Sequence, residues 1–381
     1  MGILPAERIA SLIDDGAIAL GAQGDGRAQL QPASLALTLG RRAWRVRASF
    51  LPTPGQPIAE RLADGLAMRE IDLADGALFE RGGVYLVELR ERLDLPARLA
   101  ASANPKSSTG RIDVFVRLVA ECAAGARPAF DEAPAGYAGP LYAEICPRTF
   151  SIVAREGSSL NQLRLREGPS RLTDEELVEL CRRTRVIDAA ADIDGGLGLS
   201  VDLRAGPVVG WRARRHAAAI DVDRTGALDP DEYFEAVPTP RAGFLILDPD
   251  EFYILASSEA LSVPPEFAAE MRPISPGLGE FRVHYAGFFD PGFGWSESRG
   301  SESRGSEARG SEAGWTDGSR AVLEVRSRDA PFALEHGQLV ARLVYERLTA
   351  RPRRLYGAGP ASHYQGQRLK LSKHFRPPRA E

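Results

Sequence analysis

Two short segments of this chain hold residue types that could do chemistry. In Asn104-Pro105-Lys106-Ser107-Ser108-Thr109-Gly110-Arg111, two cationic side chains, three hydroxyls and a glycine follow a β-prone run. Such a set can surround phosphate oxygens with backbone N–H, hydroxyl and charged donors. It could equally be a polar turn with a helix cap. Gly136-Tyr137-Ala138-Gly139-Pro140-Leu141-Tyr142-Ala143-Glu144 is a glycine-rich turn feeding an apolar strand that ends in a carboxylate. Burial would raise the pKa of that Glu toward the range useful for proton transfer, whereas an outward-facing Glu would pair with a surface Arg.

An internal repeat weighs between these readings. The stretch from Gly83-Val84-Tyr85 through Leu95-Pro96 to Asn104-Pro105-Lys106-Ser107 aligns without a gap on Glu251-Phe252-Tyr253 through Val263-Pro264 to Arg272-Pro273-Ile274-Ser275, 168 residues later. Leu141–Glu144 and Gly157–Leu160 recur as Ala321–Glu324 and Gly337–Val340, now 180 residues later, so the second copy carries a net insertion. Two homologous domains packed as pseudo-equivalent subunits follow from such a duplication. The second copy has Ile274, Ser275, Pro276 and Gly279 where the first has its donor cluster. Lys106, Ser108 and Arg111 therefore serve function rather than scaffold. The second copy keeps a carboxylate, Glu324, without the donors, so the first copy is expected to hold the working site around Glu144.

The elements that must position these residues are mostly short strands, such as Val84–Val87, Val114–Val116, Leu141–Ala143 and Phe150–Val153, separated by Gly, Pro and Asp turns. Pro5–Gly16 has apolar residues at 9, 12 and 13 and a stopping glycine, which predicts one short amphipathic helix. Thr173-Asp174-Glu175-Glu176 is a capping box ahead of a connecting helix. The expected layout is a domain over 1–170 with the chemical motifs, a linker over 171–190 and a second domain over 191–381. Within the latter, residues 295–318 contain a Ser-Glu-Ser-Arg-Gly-type repeat whose small, charged composition predicts a floppy surface loop. Asp221–Glu232 matches a calcium-binding loop at several positions, but Pro238 leaves little room for an exiting helix, so it reads as a turn-rich connection.

Composition narrows the function classes. The 381 residues carry a net charge of −4 with both signs mixed, which argues against nucleic acid or an anionic membrane surface as partner. Three cysteines without CxxC spacing offer no zinc site and suit a reducing cytosol. A cytoplasmic protein without a membrane span is expected.

On these motifs the chain resembles the deoxycytidine triphosphate (dCTP) deaminases of the trimeric dUTPase superfamily, in a long two-copy form. Lys106-Ser107-Ser108-Thr109-Gly110-Arg111 is similar to the family's basic-Ser-Ser-x-x-Arg motif, with Lys for the leading Arg. Gly136-Tyr137-Ala138-Gly139 and Glu144 resemble its Gly-aromatic-x-Gly turn and catalytic Glu. Gly157 to Gln162-Leu163 resembles the superfamily's phosphate motif, and Tyr356 with Ser362-His363-Tyr364-Gln365-Gly366-Gln367 resembles the tail that closes over the nucleotide, here expected over 356–374. The resemblance implies two tandem β-clip domains of distorted barrel or jelly-roll type. It implies conversion of dCTP to dUTP and ammonia, with Glu144, Arg111 and Ser107 catalytic. Lys106, Ser108, Tyr137, Gln162, Tyr356, His363, Tyr364 and Gln367 would bind substrate. The H-x-E and P-C-x-x-C ligands of zinc deaminases are absent, so the reaction is expected to use no protein-bound metal, with Mg2+ riding on the triphosphate. A homo-oligomer and inhibition by dTTP are further expectations of the resemblance. The alternatives are a bifunctional deaminase and dUTPase, or a dUTPase-like diphosphatase, with Asp131 near the water-activating position. An alternative of another class is a non-catalytic nucleotide-binding regulator.

Overall fold

The computed structural model describes residues 1–21, 26–274, 281–284 (backbone only), 287–295, 318–327, 330–358 and 362–378. The Ser-Glu-Arg-Gly repeat and the positions of Ser275, Pro276 and Gly279 lie outside the described residues. The chain is mostly β, with two halves of similar design. In the first, one six-stranded sheet contains Leu99–Pro105 and Asn161–Glu167, and another contains Val84–Asp94, Val114–Ala120 and Ala138–Pro147. In the second, a four-stranded sheet contains Phe267–Pro273 and Leu339–Arg347, and a five-stranded sheet contains Tyr253–Leu261 and Ser319–Ser327.

The two sequence offsets meet in these sheets. Glu144 lies opposite Leu86, and Glu324 lies opposite Ile254. Likewise Leu163 pairs with Ala103 and Leu343 with Met271. A register slip of one residue would turn every side chain to the other face, so the matching registers make the halves structural repeats.

The helices follow local sequence rules. Ala6–Asp14 buries Ile9. Asp174–Arg183 starts at Thr173, whose hydroxyl accepts the Glu176 N–H while the Glu176 carboxylate accepts the Thr173 N–H. Two backbone donors that a helix start leaves unpaired are satisfied there.

The halves share a core. Ala213, Phe234, Ile254 and Val322 of the second half pack into the cluster built by the first. Phe375 also joins it, meeting Tyr233 and Phe234 edge-on at ring separations of 5.3 and 5.4 Å. Beneath the junction the fully buried Arg164 donates to Glu346 at 3.1 Å and to the Ala269 and Phe289 carbonyls, with Phe288 stacked 3.9 Å away. A buried guanidinium is tolerable only when paired in this way. The calcium-like loop also serves the junction. Asp221 and Asp223 bind Arg155 of the first half, Ser158 donates to Asp223, and Ile220–Asp221 extends Ile152–Ala154 in parallel. Asp221 and Asp223 are thus docking contacts between the halves.

Candidate active site

A cavity of about 330 Å³ opens between the halves. The first half supplies its donor wall through local chain geometry. The strand Leu99–Pro105 ends at Pro105, the Lys106 N–H donates to the Leu160 carbonyl, and Ser107–Gly110 forms one helical turn. Thr109 is buried and its hydroxyl bonds the Leu160 carbonyl at 2.8 Å, so it anchors the turn while Lys106, Ser107, Ser108 and Arg111 line the cavity. Gln162 joins them from the adjacent strand, with the Ser34 hydroxyl donating to its side-chain oxygen.

The electrostatics of this wall favour an anion. Burial, with Lys373 beside it, brings the Lys106 ammonium down to about 8. Burial also lowers His363, helped by Lys373, Lys370 and Lys106. Several cations facing one space suppress one another's protonation, and an entering polyanion would relieve that repulsion.

The opposite wall comes from the second half. Glu324 lines the cavity and is 4% exposed. Its carboxylate rests on the Gly110 backbone: a Cβ added to Gly110 would stand only 2.7 Å from Glu324 Oε2. Burial pushes Glu324 well above the ordinary carboxylate value, with Arg111 opposing and Asp113 adding to the shift. Two residues along the same strand, Arg326 bonds Asp113 and Thr149 of the first half, which holds the carboxylate strand against the donor turn. Phe288, Phe289 and Asp290 complete the wall, and burial pushes Asp290 to about 6 against the pull of Arg164.

The C-terminal segment closes the cavity. Arg111 donates to Gln367 Oε1 and the Lys370 carbonyl, both at 2.9 Å, and lies 3.9 Å over the Tyr364 ring. The Tyr364 N–H donates to the Tyr356 hydroxyl, and Ser372 donates to the Ser108 carbonyl. Tyr356, His363, Tyr364 and Gln367 therefore join the first-half motif, 256 positions along the chain in the case of Arg111 and Gln367.

Two expected site residues lie elsewhere. Glu144 is buried in the first half, 1% exposed, taking the Ser49 hydroxyl at 2.9 Å on Oε1 while Oε2 has no partner. Ile58 and Leu62, from the short helical stretch over 58–66, cover that face of its sheet, and among the described residues the apolar cluster there is built by the first half alone. Tyr137 is a core residue whose hydroxyl donates to the Pro140 carbonyl at 2.5 Å and accepts the Glu121 N–H, closing its own turn. Asp131 likewise sits away from the cavity, taking the Leu118 N–H. Lys373, Gln29 and the Phe288–Asp290 segment are lining residues that the motifs alone did not nominate; the Asp-Pro-Gly turn after Phe289 was the one available signal.

Family models of the 2'-deoxycytidine 5'-triphosphate deaminase (DCD) N-terminal and C-terminal domains match residues 1–169 and 173–375. The chain belongs to the dCTP deaminase family. Among similar family members, the crystal structure of 2'-deoxycytidine 5'-triphosphate deaminase from Agrobacterium tumefaciens has 47% sequence identity and a TM-score of 0.81, covering 91% of this chain and 99% of that one. A dCTP deaminase, dUMP-forming, from Methanobrevibacter smithii is 27% identical over 190 residues, 49% of this chain and 84% of its own. Another of that description from Halobacterium salinarum is 27% identical over 118 residues, 31% of this chain and 60% of its own. Among the described residues of this dCTP deaminase family member, no helix is long and apolar enough to cross a membrane.

Proposed function

We propose that the chain deaminates dCTP to dUTP and ammonia at one composite site, with Glu324 of the second copy as its acid–base group. The observation that carries this is the approach of the Glu324 carboxylate to Gly110, inside the Lys106–Arg111 motif and the same cavity. A raised pKa suits a group that must take a proton from water as it attacks C4 and then deliver one to the departing amine. Arg111 is near enough to stabilise the ionised carboxylate and the charge that develops on the ring. Lys106, Lys373, Ser107, Ser108 and Gln162 supply donors for the phosphates, and Mg2+ enters on them as part of the substrate.

Incubation with dCTP and separate assays for ammonia and pyrophosphate test the reading. Ammonia alone is the expected result. Ammonia together with pyrophosphate would favour the dUMP-forming alternative. The observation on that side is Asp290, a buried acid on the cavity wall whose Oδ1 has no hydrogen-bond partner. Tight nucleotide binding with neither product would make the chain a regulator. The proposal also moves the base away from Glu144, and Glu324→Gln set against Glu144→Gln tests that step directly.

A further inference from the structure

The wall formed by the N-terminal segment holds an amide in one orientation. Gln29 lines the cavity and is 8% exposed. Its Nε2 donates at 2.8 Å to the Ala36 carbonyl and at 2.6 Å to Glu91 Oε1. An amide nitrogen has two N–H groups, and both are taken by acceptors, so oxygen and nitrogen cannot be exchanged without two repulsive contacts. Oε1 is left buried without a partner. An unmet buried acceptor costs about 1–3 kcal/mol, and one on a cavity wall is placed where an entering ligand can satisfy it.

The repeat separates scaffold from site. Glu91 takes the Thr38 N–H on Oε2 at 3.0 Å and the Thr38 hydroxyl on Oε1 at 2.7 Å. Glu259 does the same in the second copy, taking the Ser200 N–H on Oε2 at 2.9 Å and the Ser200 hydroxyl on Oε1 at 2.5 Å. Those two bonds fasten a strand in either half and need no ligand. The third bond, to Gln29, exists where the cavity is, and among the described residues Glu259 has no counterpart of it.

We infer that Gln29 reads a hydrogen-bond donor on the bound nucleotide through Oε1, with Glu91 as its positioning residue. Phosphate oxygens only accept, so a bare triphosphate cannot satisfy Oε1. The 4-amino group of the base also donates, but in the reading above it faces Glu324 on the opposite wall, which leaves a water on the triphosphate's Mg2+ and a hydroxyl of the sugar. This rests on the nucleotide reading above, and dCTP turnover by the unmodified enzyme checks that reading separately.

The test measures KM and kcat for wild type, Gln29→Leu and Gln29→Met with dCTP, with its 2',3'-dideoxy analogue, and with dCTP over a range of free Mg2+. Loss of one buried hydrogen bond predicts a KM for dCTP raised about tenfold with kcat changed less than about threefold. If the donor is the sugar hydroxyl, the difference between wild type and variant vanishes with the dideoxy analogue. A metal-bound water predicts that it vanishes at low Mg2+ instead. Glu91→Gln should reproduce the same pattern. An equal penalty under all three conditions, or none, overturns the inference. Should the variants fold poorly, wild type alone decides: it must bind either the dideoxy analogue or the metal-free nucleotide about tenfold more weakly, and equal binding of all forms overturns the inference.

Discussion

The strands Ala138–Pro147 and Ser319–Ser327 are the same element with different covers. Each turns one face to its own core and presents a carboxylate on the other. In the second copy that outer face meets the first half: Val322 enters the shared core, Glu324 reaches Gly110, and Arg326 bonds Asp113. In the first copy the matching positions are Tyr142, Glu144 and Cys146. Tyr142 packs under the chain's own Ile58 and Leu62, and Ser49 holds Glu144. The losses are complementary. One copy keeps the donor turn and has its carboxylate sealed, while the other keeps a carboxylate that lines the cavity and lacks most of the donors. On the proposed reading a duplicated site is reduced to one that draws a part from each copy, and the active Glu is distinguished by what its strand faces, not by its motif.

Replacing the two carboxylates should give the sharpest contrast. Glu324→Gln is expected to lower kcat about a thousandfold or more, in line with loss of a general base, while Glu144→Gln stays within about threefold of wild type. Steady-state ammonia release measures both, and the opposite pattern would return the site to the first copy. Gly110→Ala comes next. Its Cβ would displace the end of the Glu324 side chain, so kcat should fall about a hundredfold. Alanine suits a helical turn, so the melting temperature should hold. Unchanged turnover would mean that contact with the donor turn does not matter.

The C-terminal closure should respond more mildly. Gln367→Leu removes one Arg111 contact and is expected to raise KM about tenfold, read from initial rates over a range of dCTP. Truncation after Gly359 should do more than open the cavity, because Leu371 and Phe375 belong to the core. A lower melting temperature is expected with it, and full stability would detach the tail from the fold. The smallest effect concerns pH. Burial raises Glu144 above its ordinary value, so the folded state keeps a proton that the unfolded chain releases, and stability declines as pH rises through the raised value. Glu144→Gln should flatten that decline without altering turnover, as urea titrations at pH 5 and pH 8 would reveal. An unchanged slope would assign the pH dependence to other groups.

The repeat, the capped helix after Thr173 and the donor turn were legible because each is written in local spacing. Gly110 and Thr109 read as turn residues for the same reason, though their partners did not. The partner of the donor turn was not legible. Glu144 and Glu324 occupy matching positions in two largely apolar strands, and the covering of the outer faces that separates them is a property of residues such as Ile58 and Leu62, far away in sequence. Tyr137 illustrates the converse: its motif was visible, yet its hydroxyl is used inside its own turn. The acidic loop at Asp221 could be separated from a cation site by its flanks, but its tie to Arg155 could not be read in advance.

The chain also joins by covalent bonds what separate subunits would have to find by diffusion. The donor turn and the carboxylate that faces it are tethered through the helix Asp174–Arg183, so their encounter is intramolecular and has a fixed effective concentration. Specific activity should therefore be indifferent to dilution, down to concentrations at which a site shared between free subunits would come apart.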